Sequence, residues 1–166
     1  MSDIEAILDY LKQHEMLLVT AESCTAGKVV GKLGEIPGSG AILDAGYVVY
    51  SPAAKQRLLG VKPETIERCN LTSEAVAREM AVGALKDSQA AVAAANTGLA
   101  GPEGTDGIPP GTVCFAWAFH HEGEIMLFSA TERFSGSRDA VIDAAARYSL
   151  QQIPVFHAQV LKGERG

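Results

Sequence analysis

The 166-residue sequence contains no apolar run approaching the about 18 residues that a membrane-spanning helix requires. Positive charge is scarce. Fourteen Lys and Arg stand against 20 Asp and Glu, the net charge is −6, and no basic run occurs. Nucleic-acid binding depends on clustered cations that neutralise phosphates, so this balance excludes an ordinary DNA- or RNA-binding role. Cysteine is sparse too: Cys24, Cys69 and Cys114 are odd in number, far apart and in no CxxC pair. That pattern is neither a disulfide framework nor a zinc site, and it suits a reducing cytoplasm. The opening stretch MSDIEAILDYLKQHE is acidic and lacks the basic flank and apolar block of a secretory signal. No metal is expected, because His120 and His121 would point to opposite faces of a strand and no third ligand lies at a useful spacing. The two read as part of a solvated hairpin turn.

What is present is the composition of an ordinary globular chain, 47% hydrophobic and 20% charged. Ile4, Ile7, Leu8 and Leu11 recur at helical spacing behind Ser2, predicting a helix over 3–14. Residues 17–21 read as a buried strand, 26–33 as a helix and 42–50 as a longer strand. Ser51 then caps a helix with Pro52 at its first position and Gly60 just past its end. A short helix is expected over 62–68, a longer one capped by Thr72 or Ser73 reaches Lys86, and a small-residue strand covers 90–95. Strands at 112–119 and 124–134 form a hairpin, and Ser137 caps a helix ending near Gln152, before Pro154. With no repeat and no linker, the expectation is one α/β domain over residues 1–166, a three-layer α/β/α sandwich around a mixed sheet.

Three segments invite chemistry. The first, TAESCTAG at 20–27, follows a strand and opens a helix, where unpaired N–H groups and the helix dipole favour anions. Ser23 there reads either as a nucleophile or as one of a run of capping hydroxyls. Cys24 competes with it, but a thiol nucleophile wants a histidine base, and His14, His120, His121 and His157 all fall in distant segments. Cys24 therefore reads as a packing residue. Neither a GxGxxG after this strand nor a GK[ST] occurs, so dinucleotide and P-loop fingerprints are unsupported.

The second segment is YSPAAK at 50–55. Lys55 lies in the first turn of a helix, where the dipole and partial burial would lower its pKa toward the range a base requires. Tyr50 could orient it or relay a proton. A solvated surface lysine is the alternative. The third segment runs from Thr97 to Gly111, rich in glycine and proline. Glycines there permit close backbone approach to a ligand, so a binding loop is favoured over a connector. Arg133 and Arg138 could hold a phosphate or carboxylate, or make a surface contact.

These segments, in this order, resemble the C-terminal domain of the competence/damage-inducible protein A (CinA) family, whose stand-alone members are nicotinamide-nucleotide amidases. The resemblance rests on TAESCTAG at 20–27, IPGSG at 36–40, GYVVYSPAAKQRLLGV at 46–61, SEAVAREMAVGA at 73–84, TGLAGPEG at 97–104, PPGTV at 109–113 and SGSRDAV at 135–141. It implies an α/β sandwich that hydrolyses the carboxamide of nicotinamide mononucleotide to nicotinic acid mononucleotide and ammonia. By matching position it implies Ser23 as nucleophile, Lys55 as its base, Tyr50 as a supporting hydroxyl and Thr25 as a second reactive or oxyanion-side hydroxyl. Thr97, Gly98, Gly101 and Arg138 would bind substrate. No cofactor is implied; the expected partner is the small nucleotide, with no membrane or nucleic acid, in a cytoplasmic homo-oligomer. The chain departs from the family pattern at Ala26, where a second glycine is usual, and at Glu103, Thr105 and Asp106, which break a run of glycines. A nucleotide-binding regulatory relative and a hydrolase of another small amide are the alternative functions.

Overall fold

A computed structural model describes residues 2–164 and 166. Its centre is a sheet whose strand order is β2-β1-β3-β4-β5. The strands are β1 (Leu18–Glu22), β2 (Leu43–Val48), β3 (Val92–Gly98), β4 (Thr112–His121) and β5 (Glu124–Arg133). β1 runs parallel to both β2 and β3, whereas β3, β4 and β5 pair antiparallel. Helices α1 (Asp3–Gln13), α2 (Lys28–Gly34) and α6 (Arg138–Leu161) cover one face; α3 (Pro52–Leu59), α4 (Pro63–Cys69) and α5 (Glu74–Lys86) cover the other. This is the three-layer mixed α/β sandwich expected from sequence.

The period of two along β4 builds both cores. Val113, Phe115, Trp117 and Phe119 face α1 and α6, while Cys114, Ala116 and Ala118 face α5. Small side chains on the second face meet Ala77, Ala81 and Ala84 of α5, so that helix lies close to the sheet. Gly83 completes the fit, since a Cβ there would sit 2.0 Å from the Leu59 carbonyl oxygen.

Five elements differ in their bounds from the sequence reading. α2 begins at Lys28, because Ala26 (φ 50°) and Gly27 (φ 94°) are left-handed and cannot belong to the helix. β2 stops at Val48 and β3 continues to Gly98. His120 and His121 belong to β4, and the turn is Glu122-Gly123, both at positive φ as a tight two-residue hairpin requires. α6 passes through Pro154 to Leu161. Proline costs a helix interior about 3 kcal/mol. Here Ile153, His157 and Val160 continue the buried stripe, and Phe156 packs on Trp117 and Phe128. Burying one large apolar side chain contributes about 1.5–3 kcal/mol, so several together outweigh the proline.

Candidate active site

The carboxyl ends of the three parallel strands lie side by side, the usual position for a ligand site in an open α/β sheet. β1 delivers Ser23, β2 leads into α3 and delivers Lys55, and β3 delivers Thr97 and Gly98. They line a cavity of about 470 Å³, together with Tyr50, Gly101 and Arg138.

Lys55 and Ser23 meet there. Lys55 Nζ donates to Ser23 Oγ at 2.9 Å, to the Val49 carbonyl at 2.8 Å and to the Tyr50 carbonyl at 3.0 Å. The lysine is only 1% exposed and the serine 7%. Ser51 caps α3 by accepting from the Ala54 N–H, and Gly60 closes it in the left-handed region, which fixes where Lys55 leaves the helix. Burial lowers the Lys55 pKa to about 8. No carboxylate forms an ion pair with Lys55 among the described residues.

The remaining sequence-assigned residues fall into different places. Cys24 is buried beside Ser23, its thiol donating to Asn96 Oδ1 at 3.5 Å, and burial pushes its pKa up to about 12, the wrong direction for a thiolate. Tyr50 departs from its expected role. Its ring is 55% exposed and its hydroxyl accepts from Arg138 Nη2 at 3.0 Å, so the lysine is held by the main-chain carbonyl of Tyr50, not by the phenol. Arg138 also donates to the Gly101 carbonyl at 2.7 Å, tying the loop after β3 to the start of α6. Gly101 is left-handed, φ 94°. Thr97 Oγ1 donates to the Leu71 carbonyl at 3.0 Å, and Gly98 lies so close to β4 that a Cβ would sit 2.6 Å from the Thr112 carbonyl oxygen. Arg133 is turned away, donating to the Pro110 carbonyl and lining a neighbouring hollow.

Thr25 is not available as a reactive hydroxyl. It is fully buried, donates to Glu22 Oε1 at 2.6 Å and accepts from Asn96 Nδ2 at 2.8 Å. Nor is the N-terminus of α2 open to a ligand anion. Glu22 already occupies it: its carboxylate accepts from the N–H groups of Gly27, Val29 and Val30 at 3.1, 2.9 and 3.0 Å, and from the Thr20 hydroxyl at 3.0 Å. The chain thus supplies its own anion to the helix dipole. Sequence alone assigns no role to Glu22 or to Asn96. The available signals were a carboxylate embedded in TAESCTAG and a lone amide closing the apolar strand AVAAAN.

Of the four histidines, His14 and His157 pack together with Tyr10 between α1 and α6, and the other two end β4. Among the described residues, no group of three or more His, Cys, Asp or Glu side chains could hold a metal ion.

The sequence profile of the CinA C-terminal domain matches residues 2–156. Nicotinamide-nucleotide amidohydrolase PncC of Escherichia coli is 41% identical over 150 residues, 90% of this chain and 89% of that protein. A CinA-like protein of Chlorobium phaeobacteroides is 46% identical over 121 residues, 72% of this chain but only 29% of the longer relative. Among solved structures, the competence damage-inducible protein A of Klebsiella pneumoniae superposes with a TM-score of 0.88 at 36% identity, covering 94% of this chain and 95% of that one. The chain therefore belongs to the CinA C-terminal domain family.

Proposed function

We propose that this protein hydrolyses the carboxamide of nicotinamide mononucleotide to nicotinic acid mononucleotide and ammonia, by acyl transfer through Ser23 with Lys55 as general base. The single observation that carries the mechanism is the buried Lys55 Nζ, 2.9 Å from Ser23 Oγ and free of any carboxylate partner among the described residues. The name of the similar PncC protein supports the substrate.

The lysine environment suits the role. An ammonium has three N–H donors, and here it has three acceptors: two carbonyls and the serine oxygen. A neutral amine keeps two donors for Val49 and Tyr50 and turns its lone pair to the Ser23 proton. With a pKa of about 8, roughly a tenth of the lysine is neutral at pH 7. Ser23 Oγ then bonds to the carboxamide carbon while Lys55 takes its proton. As the tetrahedral species collapses, the C–N bond breaks and Lys55 returns the proton to the departing ammonia. A water molecule, deprotonated by the same lysine, cleaves the resulting ester and regenerates Ser23. The turn at Ala100–Gly101 lines the cavity, and its N–H groups would receive the oxyanion. Arg138, held at the cavity wall, would attract the substrate phosphate.

Glu103 lines the same cavity and favours a second reading, a less anionic small amide as substrate. Both readings are tested by ammonia release from purified protein across nicotinamide mononucleotide, free nicotinamide and other carboxamides. Ser23→Ala should lower turnover by more than about 10⁴-fold, and Cys24→Ala should retain most of it. Activity surviving in Ser23→Ala but lost in Cys24→Ala would reverse the nucleophile assignment.

A further inference from the structure

Asn96 is fully buried in β3, and its two amide atoms face different partners. Oδ1 accepts from the Ser23 N–H at 3.4 Å and the Cys24 thiol at 3.5 Å; Nδ2 donates to Thr25 Oγ1 at 2.8 Å. Glu22 dictates that orientation. Its carboxylate oxygens already face three backbone N–H donors and the Thr20 hydroxyl, so the group acts throughout as an acceptor. Thr25 must therefore spend its single hydroxyl proton on Glu22 Oε1, leaving its oxygen to accept. Only the NH₂ side of Asn96 can meet that oxygen, so its carbonyl side is turned to the Ser23 main chain. The order Glu22, Thr25, Asn96, Ser23 is a one-directional chain of hydrogen bonds.

We infer that Asn96 is a positioning residue for the hydrolysis: oriented by Thr25 and Glu22, it holds the Ser23 main chain so that the hydroxyl stays on Lys55. This rests on the reading of Ser23 as nucleophile. None of the three side chains lines the cavity, so none is placed to touch the substrate. Their effect is on the serine's aim, where small displacements cost large factors in rate: a misplacement of about 1 Å can cost about 10²-fold.

The relay is tested with Thr25→Val, which keeps shape and removes the hydroxyl, Thr25→Ser, which restores it, and Asn96→Ala. Two readouts are used: steady-state ammonia release, and the rate at which a fluorophosphonate probe labels Ser23, followed by mass. Thr25→Val and Asn96→Ala should lower kcat and the labelling rate by about 10–100-fold, with KM within about twofold. Thr25→Ser should recover to within about threefold of wild type. Folded Thr25→Val and Asn96→Ala proteins that label and turn over like wild type would overturn the inference while Ser23→Ala remained inactive. Should one of them fail to fold, the other together with Thr25→Ser decides. If Ser23→Ala keeps its turnover, or wild-type Ser23 is not labelled, the nucleophile reading itself falls. If wild type is labelled at Ser23 but does not act on nicotinamide mononucleotide, only the substrate is wrong, and the labelling series still tests the relay.

Discussion

Lys55 and Ser23 are 32 residues apart in sequence and hydrogen-bonded at 2.9 Å in the fold. The contact exists because β1 and β2 are parallel neighbours, so the segments leaving both strands emerge on the same side of the sheet. The side chain of Lys55 then reaches back under the strand exit, held by the carbonyls of Val49 and Tyr50.

The first prediction concerns that lysine. With its pKa lowered to about 8 by burial, kcat/KM should rise with pH through an ionisation near that value and then level off. Lys55→Arg keeps the charge but cannot deprotonate in this range, and loss of a general base typically costs about 10²–10⁴-fold. A pH–rate profile of both proteins checks this; wild-type turnover in Lys55→Arg would remove the lysine from the mechanism.

Gly101 and Arg138 form the opposite wall of the cavity. Gly101→Val puts a branched side chain at φ 94° and should raise KM by about tenfold or more with a smaller fall in kcat. Arg138→Ala releases both the Gly101 carbonyl and the Tyr50 hydroxyl and should also act chiefly on KM. Tyr50→Phe removes just one of those bonds and should be the mildest of the three. Steady-state kinetics separates the cases, and unchanged KM in folded Gly101→Val would reduce the loop to a connector.

Ala26 is expected to be a stability defect. At φ 50° a Cβ costs about 1–2 kcal/mol, while glycine there costs about 0.5–1 kcal/mol in chain entropy. Ala26→Gly should therefore gain about 0.5–1 kcal/mol, or about 1–4 °C in Tm for a chain of this size. Differential scanning calorimetry decides it; a lower Tm would mean that the Ala26 methyl packs usefully.

His157 is expected to contribute to the acid side of the stability profile. Its Nδ1 lies 2.7 Å from the Tyr10 hydroxyl, with Phe119 and His14 against its ring. Burial, then the charges of His14 and His121, lower its pKa below the ordinary value of 6.5. The unfolded chain therefore takes up the proton first, so the stabilisation is complete above about pH 6.5 and is lost as pH falls through the lowered native value. Urea midpoints should decline from pH 7 to pH 5 in wild type and be flatter in His157→Phe. Equal slopes in the two proteins would assign the acid lability to other groups.

Local chemistry was readable without coordinates. The capping serines Ser51, Ser73 and Ser137, the glycine closing α3 and the alternation along β4 all act over a few residues, so their energetics are written in short windows. The motif around Ser23 and the helix bearing Lys55 were legible for the same reason. Pro154 shows where a local rule loses, because the packing of Ile153, Phe156 and Val160 is a property of the assembled core.

The sequence by itself determined the elements, their order and the motifs that carry Ser23 and Lys55. Only the tertiary structure decided which groups meet. Strand order brought Ser23, Lys55 and Thr97 to one cavity, turned the Tyr50 phenol outward to Arg138, and sealed Thr25 and Glu22 inside. The physical reason is that burial and proximity between distant segments depend on which strands pair. Glu22 carries no assigned role in the sequence, because only the fold places its carboxylate on the N–H groups of α2.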